Sequence, residues 1–433
     1  MKKLLSVLLA VLMLLSASAL AEFDKSIPDG TTFTFWYSFT GANEEKLKEQ
    51  IAAFEAENPG IKVDAQYIGG YNAIHTELAN ANTAGTGSPA LSVINVPRLT
   101  SYCKDKLVED LTPYIEAFAD EINFDDFYPG MTDMMNNDGY QAALPFGQSG
   151  QIFYYNKTLM QEIGVEFPKT IEEFGPWLKT VYDHTGKTVL DVCGNDNAYF
   201  YCLFTNADAY MIDVETNTTG LRSDAALNLI KDLREWVDAG YIKWVDADVA
   251  NTLKLDFTSG ECAAMLYTSS SYANYKQVAE NGENGITFEV GIGNQPVGIS
   301  GRNEQYVAGA TMIIPSASCN TQAQKNAAFK LICYLTAPER QLDWVHTSSY
   351  YITRKSATED PAYAEAYAAV LADLPEMAVL DLNQYVAKTK HELFDKCGDI
   401  FEQYMSEIMN NKGDVEENWE LMCDEIDDTL ADR

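Results

Sequence analysis

Four histidines, eight cysteines and 64 acidic side chains are the raw material for any chemistry in this chain. His75, His184, His346 and His391 stand far apart, and none belongs to an H-E-x-x-H pair that would hold zinc on one helix face. Each reads as a surface or packing histidine. Gly147-Gln148-Ser149-Gly150-Gln151 approaches a nucleophile elbow, but Gln151 stands where G-x-S-x-G needs its second glycine. Gly85-Thr86-Gly87-Ser88-Pro89-Ala90 brushes against a dinucleotide loop. It follows a helical pattern and precedes a strand, the reverse of the required order, and Pro89 would spoil it. Asp133 to Gly139 ends Asn-Asp-Gly without the alternating ligands of a calcium loop. There is no Walker A pattern and no C-x-x-C, so zinc-ribbon and thioredoxin chemistry lack support. No metal and no cofactor is expected. A glycosidase needs two carboxylates across the scissile bond. With 64 acids, pairs in sequence carry no information, and that reading stays open.

What recurs is a different chemistry, aromatic and neutral polar residues together at the ends of strands. Trp36-Tyr37-Ser38-Phe39-Thr40 closes the first strand, and Gly69-Gly70-Tyr71-Asn72 follows the second. Asn95 closes the third, and Gln148-Ser149-Gly150 joins a strand pair. Tyr199-Phe200-Tyr201, Ser269 to Tyr272 and Ser348-Ser349-Tyr350-Tyr351 repeat the pattern. Tyr and Trp faces stack on the C–H faces of sugars, while Ser, Asn and Gln bond hydroxyls. The candidate contacts read this way include Tyr37, Ser38, Gln148, Tyr199 and Tyr350.

The elements that must carry these turns follow from periodicity. Thr31 to Tyr37 alternates as a strand, and Asn43 to Glu57 places Leu47, Ile51 and Phe54 on one helix face. Asn58-Pro59-Gly60 stops that helix. A strand at 61–68, a helix at 71–83 and a buried strand at 91–96 complete a βαβαβ start, which predicts a parallel sheet covered by helices. Strands at 140–146 and 151–155, helices near 170–183, 199–209 and 223–239, and strands at 261–267, 286–292 and 305–315 imply a second α/β lobe. From Asn320 the chain is mostly helix. Cys397, Phe401, Tyr404 and Ile408 share one face, and Trp419, Met422, Ile426 and Leu430 another.

The 433 residues exceed one ordinary core and imply at least two domains. A formal charge of −34 without Lys/Arg clusters argues against nucleic acid and against an anionic membrane surface. Lys2 and Lys3 precede an apolar run, Leu4 to Leu15, and then Ala19-Leu20-Ala21, the pattern of a secretory signal. The run is too short for a bilayer span. The mature chain is expected to start at Glu22 with a charge of −36, to be exported, and to carry no lipid anchor, because no cysteine precedes Cys103. An even cysteine count in an exported chain permits disulfides and leaves connectivity open. Cys193 and Cys202, flanking a short polar loop, are the expected pair, and Cys262 and Cys333 read as buried thiols in apolar runs.

Several stretches resemble the extracellular solute-binding proteins of ABC transporters, in the carbohydrate-binding family. They are Phe35 to Gly41, Phe54 to Val63, Gly150 to Lys157, Phe257 to Met265, Gly309 to Thr311 and Ala327 to Ile332, in that order over essentially the whole mature chain. The resemblance implies a two-lobed periplasmic-binding-protein-like α/β fold that closes on a ligand in the interlobe cleft, with a helical C-terminal region. Residues 1–21 would be the leader, 22–145 the first lobe, 146–315 mainly the second, and 316–433 helices packing on both, with more than one crossing between lobes. It implies a monomer with no enzymatic activity that captures a small-molecule carbohydrate. The sugar would pass to permease subunits served by a cytoplasmic ATPase. Within the family the chain is most similar to the glycerol-3-phosphate-binding branch, which places contacts at Tyr71, Asn95, Ser149, Ser269 and Gly309. That branch has an acidic residue where Asn95 stands and an arginine where this chain has Gly398. The departures favour a neutral sugar or oligosaccharide over glycerol-3-phosphate or a glycerophosphodiester. N-terminal sequencing of secreted protein is expected to begin at Glu22. Another start, or attached lipid, counts against the leader assignment.

Overall fold

The computed structural model describes residues 23–431, apart from 138, 195–196, 246–249, 381, 387–388 and 390. The leader lies outside the described residues. The chain opens with β1 (Thr31–Tyr37), in which Phe33 and Phe35 turn into the core. In α1 (Gly41–Glu57), Leu47, Ile51 and Phe54 are buried together as their spacing requires, and the Asn58 side chain closes the last turn by donating to Phe54 O at 2.9 Å. β2 (Ile61–Tyr67), α2 (Tyr71–Ala84) and β3 (Leu91–Asn95) follow. α2 ends on Gly85 in the left-handed conformation that a helix C-terminus favours.

β4 (Leu144–Ser149) runs through Gly150 directly into β5 (Gln151–Asn156). Then come α3 (Ile171–Thr185), opened by a Thr170–Glu173 capping box, β6 (Leu190–Cys193) and α4 (Asn197–Asn206). α5 (Asp224–Asp238) buries Leu229, Ile230 and Leu233. β7 (Ile242–Val245), α6 (Ala250–Thr258), β8 (Ala264–Thr268), α7 (Tyr272–Glu280), β9 (Val290–Gly293) and β10 (Ala308–Ile313) complete the sheets. The main C-terminal helices are α8 (Gln322–Leu335), α9 (Pro338–Ser348), α10 (Phe394–Met409) and α11 (Val415–Ala431).

Two five-stranded sheets result. The first has the order β2-β1-β3-β10-β4, and the second β9-β5-β8-β6-β7. β1, β2 and β3 are parallel, whereas β10 runs antiparallel between β3 and β4, with Ala310 opposite Asn95 and Ala308 opposite Ser149. The C-terminal ends of β1, β2, β3 and β4 therefore share one edge. In the second sheet β8 runs antiparallel to β5, with Thr268 opposite Gln151, and parallel to β6. Its matching edge carries Gln151, Cys193 and Thr268. The segment at 305–315, expected in the second lobe, is thus a strand of the first. An isolated apolar strand reads the same whichever sheet it joins, and only the long-range pairing with β3 and β4 decides. α8 and α9 pack on β1 and α1, while α10 and α11 pack on α5.

The lobes are joined at Gly150, through 294–307, and again near Leu374, where Pro375–Val379 packs on β9 and Glu376 pairs with Lys157 at 2.6 Å. Gly150 is fixed from both sides. Its N–H donates to Ser269 Oγ at 3.2 Å and its carbonyl accepts the Ser269 N–H at 2.8 Å. A Cβ there would lie 2.6 Å from Tyr351 Oη and 2.7 Å from Tyr306 O, so only glycine fits the crossing. Behind it, buried Arg354 donates to Ile122 O, Asn123 O and Thr336 O and covers the Phe127 ring at 3.6 Å. It pins the segment that presents Tyr350 and Tyr351.

The expected Cys193–Cys202 disulfide is not formed. Both residues are buried, and Cys202 Sγ accepts the Tyr306 N–H at 3.3 Å instead. Cys262 and Cys333 are buried thiols. Gly150→Ala is expected to cost about 1–3 kcal/mol in chemical denaturation, the usual scale for overpacking. An unchanged denaturation midpoint would mean that the crossing has slack.

Candidate functional site

The two matching sheet edges face each other across the crossing at Gly150, and most of the sequence-derived candidates come together there. Ser38, just past β1, is half-buried and interacts with the hydroxyl of Tyr71, the first residue of α2. Tyr71 in turn meets the hydroxyl of Tyr350, and Tyr350 reaches Ser270 of the second lobe. Burial pushes both phenols above the ordinary tyrosine range, so they stay protonated and able to donate at any physiological pH. The Tyr350 ring lies parallel to Trp344, with centroids 6.0 Å apart and planes 5° apart. A hydrogen bond spans the lobes beside it. Ser349, at a left-handed φ of 54°, accepts the Ala273 N–H at 3.0 Å and satisfies an otherwise orphaned donor in the first turn of α7.

Other candidates are committed to the protein itself. Tyr37 is buried, and its hydroxyl donates to Glu44 at 2.9 Å. Gln148 is buried, with Nε2 donating to Ala310 O at 2.7 Å and its carbonyl accepting the Tyr351 N–H at 2.6 Å. Ser269 is held against Gly150, and Ser149 ends β4 with little exposure. Gly309 has a φ of +97°, and a Cβ there would lie 2.3 Å from Gly147 O. It is the close approach that lets β10 sit against β4, and its contribution to the edge is backbone. The Tyr199 side chain lies outside the described residues, on a backbone that belongs to α4.

The hinge glutamines carry an unspent capacity. The Oε1 atoms of Gln148, Gln151 and Gln295 are buried without a protein partner. Gln295 Nε2 donates to Gln151 O at 3.3 Å, which draws these residues together. Buried acceptors left unmatched are costly, so donors from outside the protein are called for.

Asn95 is half-buried at the end of β3, and a histidine that the sequence reading had set aside stands beside it. His75 Nε2 lies 2.7 Å from Asn95 Oδ1, and Nδ1 lies 2.5 Å from Tyr102 Oη. His75 falls one turn after Tyr71 in α2, the i, i+4 spacing that puts both on one face, and that was the available signal. Burial first, and then the charge of Arg98, hold the imidazole below its ordinary range and therefore neutral at pH 7. Arg98 itself is exposed and donates to Asn72 Oδ1 at 3.5 Å. Among the described residues no group of three His, Cys, Asp or Glu is placed to hold a metal ion, and no helix is long and apolar enough to cross a membrane.

Comparison with known proteins agrees with this geometry. The family model described as bacterial extracellular solute-binding protein matches residues 49–371. The sn-glycerol-3-phosphate-binding periplasmic protein UgpB of Escherichia coli K12 is 24% identical over 349 residues, covering 76% of this chain and 75% of the relative. Among solved structures, UgpB of Mycobacterium tuberculosis in complex with glycerophosphocholine is similar with a TM-score of 0.78 at 21% identity, covering 94% of this chain and 99% of that one. The acarbose-binding GacH receptor of Streptomyces glaucescens gives 0.76 at 20% identity, covering 93% and 99%. The sugar-binding protein MalE of Xanthomonas citri gives 0.77 at 22% identity, covering 93% and 98%. The fold is the two-lobed one of these binding proteins.

Tyr350→Phe removes the hydroxyl that faces Ser270 while keeping the ring on Trp344. It is expected to enlarge the mean radius of gyration of the ligand-free protein in small-angle scattering and to leave the melting temperature within a few degrees. A radius unchanged from wild type would show that this hydroxyl does not hold the lobes together.

Proposed function

The chain belongs to the bacterial extracellular solute-binding proteins, and from that premise we propose that it captures a neutral sugar or oligosaccharide for an ABC importer. The observation that carries this reading is the chemistry of the crevice. Both lobes bring neutral hydroxyls, carboxamides and aromatic rings to one place, with Ser38, Tyr71, Asn95 and Tyr350 on one side and Ser270 and the Gln151 edge on the other. A sugar hydroxyl both donates and accepts, so it can satisfy the buried Oε1 atoms of the hinge glutamines and accept from the tyrosines at once. An enclosing crevice also makes each such bond stronger than it is in water.

Capture follows from the hinge. With the lobes apart, the polar edges are solvated. A ligand that bonds both edges favours the closed arrangement by its extra contacts there, and it cannot shift the equilibrium by more than that difference. Closure brings surfaces of both lobes into one fixed relation, which membrane permease subunits with an associated ATPase would read. The Tyr199 side of α4 is part of this proposed contact set, as are Tyr37, Gln148, Ser149, Ser269 and Gly309, which shape the edge.

A second reading, a phosphorylated glycerol ligand, has one observation in its favour. Arg98 stands beside the Asn95 corner without a carboxylate partner among the described residues, and relatives of this chain bind sn-glycerol-3-phosphate. Against it, position 398 is a buried glycine within α10. A buried phosphate needs charge-assisted donors or a free helix N-terminus.

Calorimetry over a panel of neutral mono- and oligosaccharides is expected to find a binder, with no heat from glycerol-3-phosphate. The binder should be recovered chemically intact, and it should shrink the radius of gyration at saturation. An unchanged radius would sink the closure mechanism. Release of smaller sugars would make the protein a hydrolase. Micromolar glycerol-3-phosphate binding that Arg98→Ala abolishes would install the phosphate reading.

A further inference from the structure

The contact between His75 and Asn95 fixes more than a packing arrangement. A carboxamide oxygen only accepts, so with Oδ1 at 2.7 Å the proton of the neutral imidazole belongs on Nε2. Nδ1 is then an acceptor, and the Tyr102 hydroxyl, 2.5 Å away, donates to it. The opposite arrangement fails at Tyr102. If Nδ1 carried the proton, the hydroxyl of this buried tyrosine would have no other acceptor among the described residues. Protons therefore point one way, from Tyr102 to His75 to Asn95, and the Asn95 Nδ2 amino group is left turned away from the ring as a pair of donors. The same polarity recurs alongside. Asn72 Oδ1 is taken by Arg98, which leaves the Asn72 amino group outward. Of the six arginines in the described residues, Arg98 alone has neither a carboxylate nor a backbone carbonyl as partner.

We infer that His75 is a positioning residue which holds Asn95 as a donor, so that Asn95, Asn72 and Arg98 form a donor-only corner of the cleft that reads an acceptor oxygen on the ligand. The relay Tyr102–His75–Asn95 carries no acceptor to the cleft surface. A ligand must therefore present at this corner a ring or glycosidic oxygen, a hydroxyl in its accepting role, or an oxyanion. Groups that can only donate are rejected, because two like donors would be pressed together out of water. The inference rests on the crevice being the binding site, but its central observable does not require any ligand.

The test uses the whole mature protein labelled with ¹⁵N. Long-range ¹H–¹⁵N spectra report which imidazole nitrogen carries the proton, and His75 is expected in the Nε2–H form at pH 7. 1,4-Dioxane, a neutral acceptor-only probe, is expected to move the side-chain amino signals of Asn95 and Asn72 and the Arg98 Nε–H signal together. Asn95→Asp, an isosteric change, is expected to abolish the dioxane response at this corner, because a carboxylate offers no donor. It should also raise the His75 titration midpoint by about one pH unit or more, since a carboxylate would then face Nε2. Tyr102→Phe removes the donor to Nδ1 and is expected to mix the two tautomers. His75 found in the Nδ1–H form, or a His75 titration indifferent to Asn95→Asp, overturns the inference even if the protein proves to bind sugar. If His75 behaves as expected and no sugar binds, the positioning role stands and the carbohydrate reading falls.

Discussion

The close passage of Gly150 beneath Tyr351 and Tyr306 is the constraint on which the cleft depends. At that point the chain leaves one sheet and enters the other with no loop between, so the end of β4 and the start of β5 are a single residue apart. The Ser269 backbone and hydroxyl clamp Gly150, and Gln148 is stitched to Tyr351 and Ala310. Two sheet edges that share such a joint cannot drift sideways past each other. What remains is rotation, which opens or shuts the space between the edges and leaves the register of their side chains intact.

That rigidity explains how a crevice made of neutral groups can discriminate. A hydroxyl or carboxamide is weakly selective in itself, because it can turn to suit its partner. Selectivity comes from denying it that freedom. The Tyr71 and Tyr350 hydroxyls stand between serines, Gln148 and Gln295 spend their amino groups on backbone carbonyls, and Asn95 is held by an imidazole. Each of these carboxamides thus offers one polarity at one place. The phenols, with acidity suppressed by desolvation, keep their protons and so keep a donor in place.

Much of this was legible in the sequence where local rules decide. The βαβαβ start followed from alternation at Thr31–Tyr37 and from the Leu47–Ile51–Phe54 face, and both edges of the cleft were marked by aromatic and polar residues after strands. The losses came where partners lie far apart in the chain. Nothing local says that 308–313 pairs with 92–95, or that Cys202 serves Tyr306 instead of Cys193. Tyr37 shows the ambiguity of an aromatic at a strand end. Its ring fits a core as well as a ligand, and the bond to Glu44 on the following helix settled it inward. His75 was passed over because a lone histidine on a helix has meaning only beside Asn95 and Tyr102, which come 20 and 27 residues later.

The place of β10 in the first sheet also governs when that sheet can exist. β3 and β4 are separated by a strand ending at Ile313, and β1 is covered by α8, which ends at Leu335. A ribosome adding residues in order will have made more than two thirds of the chain before the first lobe has all its strands. Domains that close early fold as they are synthesised; this one must wait. For a member of an extracellular family the delay is useful. The first lobe cannot close its sheet while its last strand is still to be made, and it acquires its final form only after the last third has followed the rest.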